Sequence, residues 1–96
     1  MFTRKARVDG NQKQIVEDLR KMGFSVLHTH QLKNCFDILV GVGGINYAFE
    51  IKDPSRPKSA RKLSTGEQTF IDNWNGQIAV IETVEDALNA MNLSQI

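Results

Sequence analysis

Apolar residues recur along this chain with two different periods, and the period separates predicted helices from predicted strands. A spacing of about 3.6 residues over residues 11–22 predicts a first helix, with Asp9 as its N-cap and Gly23 just beyond its end. The apolar face of this helix comprises Ile15, Val16, Leu19 and Met22. Such a face is expected to pack against a sheet or another helix.

Four runs rich in apolar and β-branched residues predict strands at residues 24–28, 36–42, 45–52 and 77–82. Gly43 and Gly44 separate the second run from the third, and this pair predicts a two-residue hairpin turn. Residues 29–35 are predicted to form a loop. The residues of the fourth run that are expected to be buried are Ile78, Val80 and Ile81.

Two further helices are predicted from their capping signals. Ser64 and Glu67 have the spacing of a capping box, which predicts a helix from there to about Trp74. The residues assigned to its apolar face and to the core are Phe70, Ile71 and Trp74. Thr83 is the predicted N-cap of a last helix over residues 84–91. The inward residues of that helix are Val84, Ala87, Leu88 and Met91.

The predicted elements follow one another in the order α-β-β-β-α-β-α. A hairpin followed by a helix and another strand favours an α/β fold, with a central mixed sheet flanked by helices. The length of 96 residues fits a single domain over residues 1–96, of which residues 1–8 are expected to form a mobile basic arm. Residues 53–62 hold both prolines and several cationic side chains, and we expect them to form an exposed loop.

Composition limits the class of protein. The formal net charge is only +1, so affinity for nucleic acid has to come from local basic patches. Cys35 is the single cysteine, which rules out an internal disulfide and fits a reducing compartment. No apolar run approaches the ~18 residues of a membrane span, and the first residues lack the apolar segment of a signal peptide. We therefore expect a cytoplasmic protein.

The predicted hairpin brings acidic residues together. Across the turn at Gly43 and Gly44, paired residue numbers sum to about 87, which sets Asp37 opposite Glu50. Strand alternation points Glu50 and Lys52 to the same side. Facing carboxylates repel, and a divalent cation removes that repulsion, with oxygen ligands favouring Mg²⁺ or Mn²⁺ over Zn²⁺. From spacing alone, a solvated salt bridge among these side chains stays open as an alternative.

Three segments resemble motifs of the PD-(D/E)xK nuclease superfamily and, within it, of the VRR-NUC family, particularly its small stand-alone phage and prophage members. These segments are residues 37–41, residues 49–53, and Leu63-Ser64 together with Glu67-Gln68. The resemblance covers nearly all of the chain. It implies a restriction-endonuclease-like fold and metal-dependent hydrolysis of phosphodiester bonds in DNA.

The resemblance also implies roles for individual residues. Asp37 and Glu50 would be metal ligands through their side chains, and Ile51 through its backbone carbonyl, with Mg²⁺ or Mn²⁺ as the cofactor. Lys52 would be the catalytic lysine, and Gln68 would match the family's glutamine near the active site. Stand-alone members resemble Holliday-junction resolvases in acting as homodimers. We therefore expect a homodimer that acts on branched or duplex DNA in a bacterial or phage-infected host cell.

The chain departs from the family pattern in several places. Phe36 stands where a proline usually precedes the metal-binding aspartate, which alters the strand entry but removes no ligand. Asn11 and Gln12 stand nearest to the place where a glutamate on the first helix often reaches the metal. An amide can hold a metal-bound water but adds no charge, so we expect one metal ion. The Val-Arg-Arg triplet for which the family is named is absent from the sequence.

Basic side chains beside this candidate site are assigned to DNA binding, with a solvated charged loop as the alternative. The assigned residues are Arg56, Lys58, Arg61, Lys62, Lys33 and Arg7. His28 and His30 are spaced to share one face of a strand, but a third metal ligand is missing. A polar role near the DNA is therefore favoured over a site for a soft metal.

The sequence thus predicts a Mg²⁺- or Mn²⁺-dependent deoxyribonuclease, an endonuclease selective for branched DNA. One alternative is a nuclease with the same site that nicks DNA, cuts flaps or trims ends. Another alternative is a DNA-binding module without catalysis. The preferred DNA structure and the natural metal are left open at this point.

Overall fold

The predicted order of elements is present, with one additional short helix, in a computed structural model that describes residues 10–32 and 35–93. The elements are α1 (Gln12–Lys21), β1 (Ser25–His28), β2 (Ile38–Val42), β3 (Ile45–Ile51), α2 (Lys58–Arg61), α3 (Thr65–Asn73), β4 (Ile78–Ile81) and α4 (Val84–Ala90). Arg7, Asp9 and Lys33 lie outside the described residues, as does the expected arm over residues 1–8. The N-cap of α1 is Asn11, so the prediction of Asp9 for this position is wrong. In the part of the chain that is described, no helix is long and apolar enough to cross a membrane.

The sheet is mixed, as predicted, and its strands lie in the order β1-β2-β3-β4. The first three strands are antiparallel neighbours, whereas β4 lies parallel to β3. Parallel neighbours need a crossover connection, which the segment carrying α2 and α3 supplies. The edges of the sheet are β1 and β4.

The β2–β3 hairpin has the predicted register. Ile38 pairs with Phe49, so paired residue numbers sum to 87. Both turn residues have positive φ, +60° at Gly43 and +80° at Gly44, which are values of a type I′ turn. The twist of this turn matches the twist of the strands, and its length sets which residue faces which along the whole hairpin.

The core lies between one face of the sheet and the helices α1 and α4. Strand alternation sends Phe49 and Ile51 into this core and turns Glu50 to the opposite face. The core residues are Ile15, Val16, Leu19, Ile38, Val40, Phe49, Ile51, Ile81, Ala87, Leu88 and Met91. Val84 packs against them, so the predicted inward face of the last helix is confirmed.

Helix α1 ends in a Schellman motif at the predicted glycine, where Gly23 has a φ of +91°. The amide of Phe24 donates to the carbonyl of Leu19 at 3.2 Å. The amide of Gly23 donates to the carbonyl of Arg20 at 3.0 Å. Because the chain turns away here, Met22 is 41% exposed, and its predicted place on the buried helix face is wrong.

Helix α3 begins with the predicted capping box, yet none of its residues is fully buried. The helix meets the rest of the protein through Phe36, whose ring centroid lies 6.1 Å from that of Phe70 and 6.0 Å from that of Trp74. Trp74 is 42% exposed, so its assignment to the core is wrong. The physical reason is that α3 packs on Phe36, at the entry to β2, and does not lay a broad apolar face against the core.

Two other expectations for the second half of the chain are corrected. Val80 is 42% exposed, because successive side chains of a strand alternate between faces and Ile81 takes the core side. Residues 53–62 are not a loop throughout, since they contain α2, which begins directly after Pro57. Proline is tolerated at the start of a helix because the N–H that it lacks has no partner there.

Both glycines of the type I′ turn have positive φ, so the effect of replacing one of them depends on whether the new residue tolerates that conformation. No atom lies within 4 Å of a Cβ built at either position, so a substitution changes only the backbone energy. We expect Gly44→Val to lower the free energy of unfolding by about 1–2 kcal/mol, because a β-branched residue is strained at positive φ. Gly43→Asn should stay within about 0.5 kcal/mol of the wild type, because asparagine tolerates this conformation. Urea unfolding measures both, and equal stability of the two variants would contradict the turn type.

Candidate metal centre

Asp37 stands just before β2 and continues the hairpin pairing by one step. Its amide donates to the carbonyl of Phe49 at 2.9 Å. Its Oδ2 accepts a hydrogen bond from the amide of Ile51 at 2.7 Å. The carboxylate is therefore tied to the stretch of β3 that carries Glu50, where the predicted register places it. This hydrogen bond orients the Asp37 side chain without any metal.

Glu50 is a buried carboxyl group on the side of the sheet away from the main core. The residue is only 5% exposed. Burial raises the pKa of Glu50 to about 8, and the charges of Asp37 and then Glu67 act in the same direction. Lys52, whose Nζ lies 3.5 Å from Glu50 Oε2, opposes the rise without cancelling it. The surroundings of Glu50 are therefore short of positive charge, which a bound cation would supply.

Lys52 follows β3 and points into the same region. Its Nζ donates to Glu67 Oε1 at 3.2 Å, and the side chain is 12% exposed. Burial acts to lower the pKa of the Lys52 ammonium, but the hydrogen bond and charge of Glu67, and then those of Glu50, raise it by more. The pKa of Lys52 thus lies above its ordinary value, and its ammonium group is a cation held in place by acidic neighbours.

These side chains share an open cleft of about 370 Å³ with Ile51 and Arg56. When Glu50 is ionised, Asp37, Glu50 and Glu67 outnumber the cations Lys52 and Arg56 on its wall, and a divalent cation would offset the excess negative charge. Hard carboxylate oxygens are the donors that Mg²⁺ and Mn²⁺ prefer. Among the described residues, no group of three or more histidine, cysteine or acidic side chains is arranged to hold a metal. Asp37 and Glu50 fit a site that is completed by backbone and water, as is usual for Mg²⁺.

Asn11 and Gln12, the amide residues at the start of α1, have different partners near the candidate metal centre. Asn11 Nδ2 donates to the carbonyl of Lys52 at 3.0 Å and to that of Glu82 at 2.8 Å, which joins the ends of β3 and β4. Gln12 is buried, and its Nε2 lies 3.2 Å from Nδ1 of His28. Asn11 thus holds the backbone of Lys52, whereas the Gln12 side chain is engaged with a histidine of β1.

The predicted DNA-binding residues separate in space. Arg56 lines the cleft. Arg61 forms an ion pair with Glu82, with Nη1 and Oε2 3.2 Å apart. Lys58 and Lys62 are exposed beside them. Of the described members of the set, Arg56 is therefore the one placed beside the carboxylates.

Gln68 is not brought into the cleft. It is exposed, and its Nε2 donates to Asp72 Oδ1 at 2.8 Å, one turn further along α3. Glu67, one residue earlier, takes the position beside Lys52. From the sequence, Glu67 is predicted as part of the capping box and of the third family-like segment, and neither pattern predicts its contact with Lys52.

The two histidines lie next to the cleft, not within a metal-binding group. His28 and His30 make an edge-to-face contact with ring centroids 5.6 Å apart, and His30 also lines the cleft. Burial, and then the charges of Arg20 and His30, lower the pKa of His28, which favours its neutral form. A polar role beside the cleft stays the prediction for both residues.

The fold and the site define a mixed α/β protein in which a carboxylate pair and a lysine meet in a cleft on the sheet. No family model matches the chain, and neither a curated protein nor a solved structure matches it.

The raised pKa of Glu50 predicts how the stability of the metal-free protein depends on pH. The ordinary pKa of the group is 4.5 and the folded value is about 8, so the folded state holds the proton more tightly. Its contribution to stability is complete below pH 4.5 and is lost as the pH rises through about 8. In EDTA, we expect the free energy of unfolding to fall over this range in the wild type and to fall less in Glu50→Gln.

Urea unfolding between pH 4.5 and pH 9 measures this difference. Glu85→Gln is the matched control, because it removes an acidic charge at an exposed position of α4. If Glu50→Gln followed the pH profile of the wild type, the environment deduced for Glu50 would be wrong.

Proposed function

We propose that this chain is a Mg²⁺- or Mn²⁺-dependent DNA endonuclease of the PD-(D/E)xK type, similar to the VRR-NUC family. The observation that carries the proposal is that Asp37, Glu50 and Lys52 meet in one open cleft outside the main core. A solvated salt bridge, the alternative from spacing alone, does not account for a glutamate that is 5% exposed. At such a depth the group either keeps its proton or, once ionised, needs compensating charge, which a bound cation would supply.

In this proposal, the carboxylates of Asp37 and Glu50 and the carbonyl of Ile51 hold the metal. When bound, the ion lowers the pKa of a water molecule and offsets negative charge on the phosphate. The Ile51 amide keeps the Asp37 carboxylate oriented, so little rearrangement is needed on binding. Glu50 loses its proton as the cation binds, which makes metal affinity increase with pH.

Lys52 acts as a fixed cation and not as a base. Glu67 and Glu50 favour its ammonium form, and the ammonium is held at the cleft by the Glu67 carboxylate. Its remaining N–H groups can donate to the attacking water or to a phosphate oxygen. Donors of this kind are most effective where negative charge grows in the transition state.

Branched DNA as substrate and a homodimer as assembly belong to the same proposal, and both rest on the resemblance. Arg56 on the cleft wall supports contact with a phosphate near the scissile bond. Two copies would place two clefts against two strands of a junction. A nuclease that nicks DNA or cuts flaps would use the same residues, so substrate choice is decided by experiment.

The proposal predicts metal-dependent cleavage that requires the three central side chains. With Mg²⁺ or Mn²⁺, the protein should cut a four-way junction, and EDTA should abolish the reaction. Glu50→Ala and Lys52→Met should each lower the rate by roughly 10²-fold or more, which is typical for loss of transition-state stabilisation. Glu85→Gln should cut at the wild-type rate, since Glu85 is exposed on α4.

Cleavage that survives both EDTA and Glu50→Ala would overturn the assignment. A flap of equal length, compared with the junction, decides between the two nuclease alternatives. Calorimetry with Mn²⁺ addresses the third possibility, because DNA binding without any heat of metal binding would identify a non-catalytic module.

The placement of the arginines predicts a contrast in DNA affinity. Arg56→Ala should weaken DNA binding and reduce the slope of log affinity against log salt by about 1, as expected for one lost phosphate contact. Arg61→Ala is the matched control, because its guanidinium is already paired with Glu82 and should contribute less. Fluorescence anisotropy at several salt concentrations measures both, and a larger loss in Arg61→Ala would reverse the assignment.

A further inference from the structure

Glu67 makes two contacts through one oxygen atom. Its Oε1 accepts a hydrogen bond from the backbone amide of Ser64 at 2.9 Å and another from Lys52 Nζ at 3.2 Å. The Ser64 hydroxyl in turn accepts from the amide of Glu67 at 3.1 Å, which completes the capping box. The same carboxylate therefore belongs to the cap of α3 and to the surroundings of the lysine.

The cap orients the carboxylate before it meets the lysine. In a capping box, the side chain at the third helical position bends back to the backbone amide of the N-cap residue. Ser64 therefore restricts the rotamers of Glu67. Gln68 is the next residue on the helix and points elsewhere, to Asp72. Successive helix residues point in different directions, so Glu67 contacts Lys52 and Gln68 does not.

The lysine needs such a partner to keep one position. A lysine side chain has many rotamers, and the entropy lost when its ammonium is fixed in one position has to be offset. Glu50 alone holds it from β3, with Nζ and Oε2 3.5 Å apart. Glu67 adds a shorter contact from α3, so carboxylates on different elements hold Lys52.

We propose that Glu67 is a positioning residue for Lys52, and that the hydrogen bond from the backbone amide of Ser64 aims its carboxylate. The catalytic meaning of this inference rests on the proposed function of Lys52, whereas the positioning itself does not. It assigns the role near the lysine to Glu67, where the family resemblance pointed to Gln68.

The arrangement also connects α3 with the cleft. Because no residue of α3 is fully buried, the helix relies on the Phe36 contacts and on the pair between Lys52 and Glu67 to stay in place. Loss of the Glu67 carboxylate is therefore expected to move the Lys52 ammonium, and a change at Lys52 to loosen the start of the helix.

Two variants separate the cap from the charge. Glu67→Gln keeps an oxygen that can accept from the Ser64 amide but removes the negative charge beside Lys52. Ser64→Ala removes the hydroxyl of the cap but leaves the Glu67 carboxylate. If Glu67 acted only in the cap, Ser64→Ala would have the larger effect on every measurement. If it positions Lys52, Glu67→Gln has the larger effect at the cleft.

The first readout does not depend on nuclease activity. Acetylation of each lysine by an activated ester is followed by mass spectrometry in the intact protein, with the exposed Lys58 and Lys62 as internal references. Lys52 should react more slowly than either reference in the wild type. Its rate should rise several-fold in Glu67→Gln and by less than twofold in Ser64→Ala, because only the former frees the ammonium.

The second readout is DNA cleavage at saturating Mn²⁺. Glu67→Gln should lower kcat by roughly tenfold to a hundredfold, because a small displacement of a catalytic group is costly, while KM for DNA changes little. Glu67→Asp keeps the charge on a shorter side chain and is the substitute if the glutamine variant does not fold. It should show the same increase in Lys52 acetylation.

An unchanged acetylation rate of Lys52 in the Glu67 variants would overturn the proposal, whatever the cleavage assay shows. An equal rise in Ser64→Ala and Glu67→Gln would also overturn it, because it would reduce Glu67 to its capping role. A further outcome is that Lys52 acetylation rises only in the Glu67 variants while the wild-type protein does not cleave DNA. That pair of results would uphold the positioning role of Glu67 and reject the proposed function.

Discussion

The arrangement of the site depends on the register of the β2–β3 hairpin. The turn at Gly43 and Gly44 sets this register at one end of the hairpin, and its consequence appears at the other end, where Asp37 reaches β3 beside Glu50. A slip of one residue would turn Glu50 into the core and bring an apolar side chain out. The same constraint therefore keeps the core apolar and the carboxylates together.

Charge around Glu50 is the second constraint, and it follows from the first. Removal from water, and then the charge of Asp37, raises the pKa of Glu50 to about 8. Lys52 compensates in part, and Lys52 is in turn held by Glu67 from α3. The balance left on the cleft wall favours a cation, which is the physical link between the fold and the proposed metal chemistry.

Local patterns were sufficient for most of the fold. The apolar period of α1, the glycine pair of the hairpin and the capping box of α3 each act over a few residues, and each of these elements is present where its pattern predicts it. Burial was harder to predict where it depends on what lies across from a residue. Met22, Trp74 and Val80 are apolar and suitably spaced, yet each is more than 40% exposed, because none of the other described elements covers it fully.

The sequence by itself determined the hairpin register and hence the meeting of Asp37 and Glu50, because a two-residue turn leaves the strands a single pairing. Tertiary structure alone decided how deeply Glu50 is buried and which residue of α3 reaches Lys52. Those outcomes depend on how α3, a helix far along the chain, packs against Phe36 at the entry to β2. One step along that helix separates Glu67, which holds the lysine, from Gln68, which does not.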